Sequence, residues 1–219
     1  MTAELPRLAG AGDRHPWDWY VEQPWVTHRL IDVLPLERDV QYLDPACGGC
    51  NIPQALTDRG FRALGTDRER RTDSPLFFAE HDWLGPQALL IEQLRPLSIV
   101  MNPPFSYQDG RLVRGLAEAF VRKALAIATH KVCALLPLKW MASQQRCALF
   151  REFPPAIYVL AERPSMPPGD KIAAMGDRAW AHGKVDYAWF VWDHHAPARD
   201  FARTYWIPPR DRAQLAEAA

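Results

Sequence analysis

Leu97-Ser98-Ile99-Val100-Met101-Asn102-Pro103-Pro104-Phe105 is the stretch on which the reading of this chain turns. Its first five residues, almost all apolar, predict a buried strand. The next four set an amide, two prolines and an aromatic ring at the strand's C-terminal end. The prolines fix their backbone angles, so a side-chain amide and a backbone carbonyl are delivered there in set directions. Such a pair of acceptors suits an amino group attached to a flat ring. A second signal lies upstream. Asp44-Pro45-Ala46-Cys47-Gly48-Gly49-Cys50-Asn51 follows another strand-like run, Val40-Gln41-Tyr42-Leu43. Small residues between a strand and a helix let backbone come close to a ligand, and the helix N-terminus favours negative charge. The three spaced glycines of a dinucleotide fingerprint are missing.

Outward from these two loops, strands and helices alternate. A helix is expected over Pro24–Leu34, with Pro24 in the first helical position and Val26, Leu30, Val33 and Leu34 on one face. After the glycine loop a second helix should run from Asn51 as N-cap to Gly60 as its stop. Phe61–Thr66 and Leu76–Ala79 read as strands, then Pro86–Leu94 as a helix. A long helix over Leu112–Ala128, a strand over Val132–Leu136 and a helix over Ser143–Phe150 follow. Ile157–Leu160 and Val185–Trp192 would close the sheet. In the last, Tyr187, Trp189 and Val191 alternate with Ala188, Phe190 and Trp192, the period of two of a strand. Alternation of this kind predicts an α/β fold whose largely parallel sheet is covered on both faces, with binding at the C-terminal strand edges.

The chain has 219 residues, 48% of them apolar, enough for one domain with a substantial core. No run approaches the roughly 18 apolar residues of a membrane span. Met1 to His15 carries no apolar segment behind basic residues, so no secretory signal is visible and a cytoplasmic protein is expected. We expect a flexible N-terminus over 1–16, a catalytic domain over 17–193 and a C-terminal extension over 194–219. Lys plus Arg and Asp plus Glu number 26 each, so net charge announces no nucleic-acid binder. The distribution is less even. Between Arg111 and Arg151 stand eight basic residues, Arg111, Arg114, Arg122, Lys123, Lys131, Lys139, Arg146 and Arg151, against one acid, Glu118. One-signed charge beside a candidate active loop favours a phosphate backbone nearby. Solvated helix faces would give the same pattern.

Acids stand at three consecutive strand ends. Asp44 suits a positively charged ligand group, Asp67 a pair of ribose hydroxyls, and Asp82 a further polar contact. An ordinary strand-end turn would also use a carboxylate. Cys47 and Cys50 have the spacing of a redox pair or half a zinc site. No second such pair exists, and Cys133 and Cys147 stand alone, so two small residues in a tight loop is the preferred reading.

The two loops, in this order, resemble the cofactor and catalytic loops of amino-group DNA methyltransferases that use S-adenosylmethionine. Ala134-Leu135-Leu136-Pro137-Leu138-Lys139-Trp140, Tyr158 to Ser165 and Tyr187 to Trp192 extend the likeness to phage and prophage adenine-N6 DNA methyltransferases of the gamma motif order. It covers about Trp17 to Asp193. The resemblance implies a Rossmann-like class I methyltransferase fold: a mostly parallel seven-stranded sheet, helices on both faces, and an antiparallel strand near the C-terminus. It implies S-adenosylmethionine at Asp44, Pro45, Ala46, Gly48, Asn51, Asp67, Arg68, Asp82, Trp83 and Asn102. The family's upstream segment, an aromatic followed by Thr-Pro, is represented by Tyr20-Val21-Glu22-Gln23-Pro24, which lacks the threonine; Tyr20, Gln23 and Pro24 are its candidates.

Asn102, Pro103, Pro104 and Phe105 are implied to be catalytic, the ring stacking on a flipped base and no metal taking part. Ser106, Tyr107, Arg111, Arg114, Lys139, Trp140 and Arg146 are candidates for contact with DNA, duplex or single-stranded, with Trp140 or Trp180 placed to stack on bases if exposed, although a tryptophan is more often a core residue. The chain has no room for a separate recognition domain of the usual size, on the order of a hundred residues. Modest sequence specificity is therefore expected, in a monomer or weak homodimer. RNA adenine, cytosine N4 and a protein glutamine pose the same electronic problem and stay open as acceptors. A non-catalytic nucleic-acid-binding module on the same fold also remains.

Overall fold

The computed structural model of the protein describes residues 14–86, 91, 93–197 and 199–211. Helix α1, Pro24–Val33, starts with proline where no backbone donor is needed, and buries Val26 and Leu30. Strands β1 (Gln41–Asp44), β2 (Arg62–Asp67), β3 (Phe77–Glu80) and β4 (Leu97–Met101) follow, with helix α2 (Asn51–Asp58) between β1 and β2. Next come β5 (Tyr107–Gln108) and β6 (Arg111–Leu112), the arms of a small antiparallel hairpin. Then come α3 (Leu116–Ile127), β7 (Lys131–Pro137), α4 (Cys147–Glu152), β8 (Ala156–Leu160), the short α5 (Ile172–Met175), β9 (Tyr187–Asp193) and β10 (Arg203–Ile207).

The main sheet runs in the order β10-β8-β9-β7-β4-β1-β2-β3. All neighbours are parallel except β9, which is antiparallel to β7 and β8. It therefore has eight strands where seven were expected. The added strand, β10, lies within 194–219, the stretch read from sequence as an extension, and pairs in parallel with β8. From β1 the chain order runs one way to β2 and β3 and the other way to β4 and β7. The gap between the C-terminal ends of β1 and β4 is thus the switch point at which α/β sheets bind ligands.

Each sheet face carries a core. One packs Leu43, Ile99, Met101 and Phe190 against Phe120, Val121 and Ala124 of α3. The other packs Tyr42, Val100, Leu135 and Trp189 against Val26 and Leu30 of α1 and Ile52 and Leu56 of α2. The alternation along β9 sorts as its sequence predicts, Tyr187, Trp189 and Val191 to one core and Ala188, Phe190 and Trp192 to the other.

Several boundaries differ from expectation. The helix expected from Leu112 begins at Leu116, because Asp109 and Gly110, with φ of 54° and 68°, turn the chain into the β5–β6 hairpin first. Asn51 is the first residue of α2; Cys50, in the left-handed region at φ 65°, is the cap. The helix expected over 86–94 lies for the most part outside the described residues. So does most of the N-terminus expected to be flexible. His15 and Pro16 at its end are held, His15 buried and the Pro16 carbonyl accepting the Gly110 N–H at 2.9 Å. Among the described residues no helix is long and apolar enough to cross a membrane, and no group of three or more side chains could hold a metal ion.

Candidate active site

β1 ends in Asp44 and the residue after β4 is Asn102, so the switch point carries a carboxyl on one side and an amide on the other. Asp44 is only 3% exposed, and its Oδ1 accepts the Ala46 N–H at 3.0 Å. Burial pushes its carboxyl well above the usual range, and the negative charges of Glu22 and Asp67 push it further. Burial likewise raises Glu22 and Asp67. Hydrogen bonds to the charged form oppose this, from Asn102 for Glu22 and from the Gly48 N–H for Asp67. Two buried acids, Asp44 and Glu22, and the partly buried Asp67 resist ionising together and form a setting in which a cationic ligand group is stabilised.

The Asn102 amide is locked. Its Nδ2 donates to the Tyr20 carbonyl at 2.9 Å and to Glu22 Oε2 at 2.7 Å. The Tyr20 carbonyl can only accept, so the NH2 end must face it. Oδ1 receives none of the hydrogen bonds among the described residues and is left to accept one from a ligand.

A second carboxylate fixes the loop that follows. Asp18 Oδ2 accepts the backbone N–H groups of Phe105, Ser106 and Tyr107 at 3.1, 2.7 and 2.8 Å. Arg14 pairs with that carboxylate in a fork, Nε to Oδ1 at 2.6 Å and Nη2 to Oδ2 at 2.9 Å. Segment 14–22 therefore holds both Asn102 and the loop beyond it.

The glycine loop needs its glycine. At Gly48, φ is 49°, and a Cβ there would lie 2.5 Å from Trp19 Nε1. Gly48 N–H donates to Asp67 Oδ2 at 2.9 Å. Trp19 lines the same cavity, and its buried Nε1 has no hydrogen-bond partner among the described residues. Cys47 and Cys50 are free thiols whose sulfurs lie 3.6 Å apart under the loop. A hydrogen bond between them raises the Cys47 pKa and lowers that of Cys50.

The cavity brings together most of the residues expected at a cofactor site. Asp44, Pro45, Ala46, Gly48 and Asn51 line it from the glycine loop, and Asp67, Arg68, Asp82 and Trp83 from the next two strand ends. Tyr20, Asn102, Pro104 and Tyr107 complete it. Asn51 Nδ2 donates to the Glu22 carbonyl at 3.0 Å, tying the loop to the upstream segment. Trp83 is 1% exposed, and its Nε1 donates to the Phe120 carbonyl at 3.3 Å. Pro103 is buried beside the cavity. Phe105 is half-buried, its ring 6.2 Å from that of Tyr187, and it packs against both cores.

Other candidates fall elsewhere. Gln23 and Pro24 do not line the cavity; Gln23 Oε1 accepts from Trp25 Nε1 at 3.0 Å, and Pro24 opens α1. Trp140 is corrected from an exposed stacking ring to a core residue. It is 7% exposed, edge-on to Phe150 and Phe190. Arg146 is turned inward onto it, with its Nε donating to the Trp140 carbonyl at 2.6 Å. Trp180 is half-buried. Arg111, Arg114 and Lys139 are exposed, and none forms an ion pair among the described residues. Ser106 is half-buried and held by its N–H on Asp18. Sequence reasoning missed Asp18, Trp19, Glu22 and Arg71. Gln23 stands where a threonine was sought, and the two acids Asp18 and Glu22, close before a predicted helix, were the available signal.

Among solved structures the chain is similar to one from Listeria monocytogenes described as a class I S-adenosylmethionine-dependent methyltransferase. The TM-score is 0.53 at 12% identity, covering 83% of this chain and 63% of that one. It is also similar to a modification subunit of a type I restriction enzyme from Vibrio vulnificus, with TM-score 0.53, 13% identity and coverage of 91% and 51%. A methyltransferase subunit of a type I restriction-modification system from Streptococcus thermophilus gives 0.57, 11% identity and coverage of 91% and 52%. The chain thus spans between half and two thirds of the length of these structures. Likeness at such identity is one of fold: the chain has the Rossmann-like fold of class I methyltransferases. No family model matches it, and no curated protein matches it in sequence.

Proposed function

We propose that this protein transfers a methyl group from S-adenosylmethionine to the exocyclic N6 of adenine in DNA, acting in the cytoplasm on a base flipped out of its stack. The observation that carries the reading is the locked Asn102 amide, its oxygen uncommitted, beside the buried acids Asp44 and Glu22 and the partly buried Asp67. The residues fit the cofactor. Asp44 and Glu22 suit its ammonium group, Asp67 its ribose hydroxyls, and Asp82 and Trp83 its adenine. When bound, S-adenosylmethionine supplies an electrophilic methyl group on a sulfonium.

The chain's own work is to prepare the acceptor. An N6 amine is a poor nucleophile because its lone pair is delocalised into the ring. Asn102 Oδ1 and the Pro103 carbonyl accept its two N–H hydrogens and draw the nitrogen towards a tetrahedral shape, with the lone pair aimed at the donor. This is preorganised polar stabilisation. The part of Phe105 left outside the core stacks on the flipped base, and Arg111, Arg114 and Lys139 face phosphates. Two of the similar structures are described as a modification subunit of a type I restriction enzyme and a methyltransferase subunit of a type I restriction-modification system, which favours DNA as the acceptor.

The test is incubation with a labelled methyl donor and duplex DNA, single-stranded DNA, RNA or protein, followed by nucleoside and amino-acid analysis by mass spectrometry. N6-methyldeoxyadenosine is expected. Label in N4-methylcytosine, in RNA alone or in glutamine overturns the acceptor named here, and absence of cofactor binding overturns the enzyme.

A further inference from the structure

We propose that the β5–β6 hairpin is a wedge, with Leu112 entering the duplex in the place of the extruded adenine. The inference rests on the reading above, that the protein acts on a flipped base in DNA. Four observations carry it.

The hairpin is tight. Asp109 and Gly110, the two residues between its arms, have φ of 54° and 68°. Two positive φ values mark the primed turn whose twist matches paired strands. The register puts Leu112 opposite Tyr107 and Arg111 opposite Gln108.

It is also fixed at both ends, by Val113 at its base and Gly110 in its turn. The Val113 N–H donates to the Ser106 carbonyl at 2.7 Å, and Gly110 N–H to the Pro16 carbonyl at 2.9 Å. The Asp18 carboxylate holds the incoming arm by the N–H groups of Ser106 and Tyr107. Arg14 lies over the Tyr107 ring, its Cζ 4.7 Å from the centroid.

Leu112 nevertheless stands out from this support, 58% exposed. A lone exposed leucine is ordinary on a protein surface. This one sits on an immobilised hairpin directly after the catalytic loop. Its backbone lies at most about 12 Å from that of Phe105, two extended residues and one strand spacing away.

Finally, Leu112 is flanked by arginines. Arg111 and Arg114 are exposed, and neither is ion-paired among the described residues. An exposed leucine side chain between two cations matches a duplex at an opened step, where the leucine meets base faces and the cations meet phosphates. Extruding a base leaves a gap in the stack, and a side chain that fills it stabilises the open state.

The wedge is needed only where a stack must be opened, which gives it a readout that a structural role lacks. Single-turnover methylation is measured on an adenine in duplex DNA, in single-stranded DNA, and in duplex DNA with an abasic site opposite. Leu112→Ala should slow the duplex reaction by about ten- to a hundredfold, the scale of opening one base step. The single-strand rate should hold within about twofold, and the abasic duplex should recover most of the loss. Leu112→Met, which keeps an apolar tip, should retain the duplex rate. With 2-aminopurine as the target base, the fluorescence rise on binding should shrink for Leu112→Ala alone. Equal losses on duplex and single strand, or an unchanged duplex rate, overturn the wedge while leaving the functional reading standing. A wild-type protein that methylates neither substrate overturns that reading first, and the wedge with it.

Discussion

Glu22→Ala removes one of the two groups that hold the Asn102 amide and touches nothing else on the acceptor side. The bond lost is an N–H donated to a carboxylate at 2.7 Å. Hydrogen bonds to charged groups contribute about 1.5–3 kcal/mol. The Tyr20 carbonyl at 2.9 Å remains, so the amide is loosened rather than released. If that energy is what keeps Oδ1 facing the acceptor, the methyl-transfer rate should fall by about ten- to a hundredfold. Glu22→Gln keeps an acceptor oxygen at the same reach and should lose no more than about fivefold, the difference between a charged and a neutral bond. The assay is single-turnover methylation of an adenine-containing duplex at saturating donor, so that changes in donor affinity drop out. Thermal unfolding run alongside establishes that each variant is folded. A folded Glu22→Ala protein at the wild-type rate refutes the reasoning. A Glu22→Gln variant as slow as Glu22→Ala also refutes it, since charge and not the hydrogen bond would then be the active ingredient.

Asn102→Ala should lower single-turnover methylation by about two to three orders of magnitude, the scale of one preorganised polar group, with donor affinity by calorimetry nearly unchanged. Asp67→Ala should weaken cofactor binding by about 1–3 kcal/mol in the same calorimetric titration, and unchanged affinity removes Asp67 from the site. Asp44→Asn tests the buried charge through pH. The folded carboxyl is raised, so the folded state keeps a proton that the unfolded chain has released, and wild-type stability falls as pH rises from about 4 through the folded value. The asparagine variant should therefore be more heat-stable than wild type at pH 7.5, with the gap closing towards pH 4, while its cofactor affinity drops. Neutralising Arg111 or Arg114 should each lower the log–log salt slope of DNA binding by about one unit, and an unchanged slope marks them as solvated charges.

The parts of the fold written by burial were legible. Leu97 to Met101 is buried on both faces and could be little but a central strand, and the alternation along β9 named both of its faces correctly. Residues placed by strand ends followed, because a strand of known direction fixes where its last side chain emerges. What escaped depended on long-range partners. Nothing local distinguishes Asp18 from any loop acid; its role comes from three N–H groups far along the chain. Trp140 was misjudged because an indole on a predicted loop carries no sign of whether Phe150 and Phe190 will close over it. The β5–β6 hairpin was different. Asp109-Gly110 is a strong turn signal, and the helical pattern from Leu116 was extended back to Leu112, onto the second arm. β10 was overlooked because Arg203, Thr204, Tyr205 and Trp206 are all exposed, so this edge strand lacks the apolar alternation of a half-buried one.

The clasp formed by Asp18 has a consequence for when the site exists at all. Its three hydrogen bonds join residues 87, 88 and 89 positions apart. During synthesis segment 14–22 emerges early, and it waits without these partners until Tyr107 has been made. The strands β1, β2 and β4 pair with one another and not with that segment. Its release is therefore a sub-global opening: the strands stay paired while the asparagine and the loop beyond it lose their hold. Catalytic competence then has a stability of its own, smaller than that of the sheet. Mild denaturant should abolish the proposed methyl transfer before it unfolds the protein.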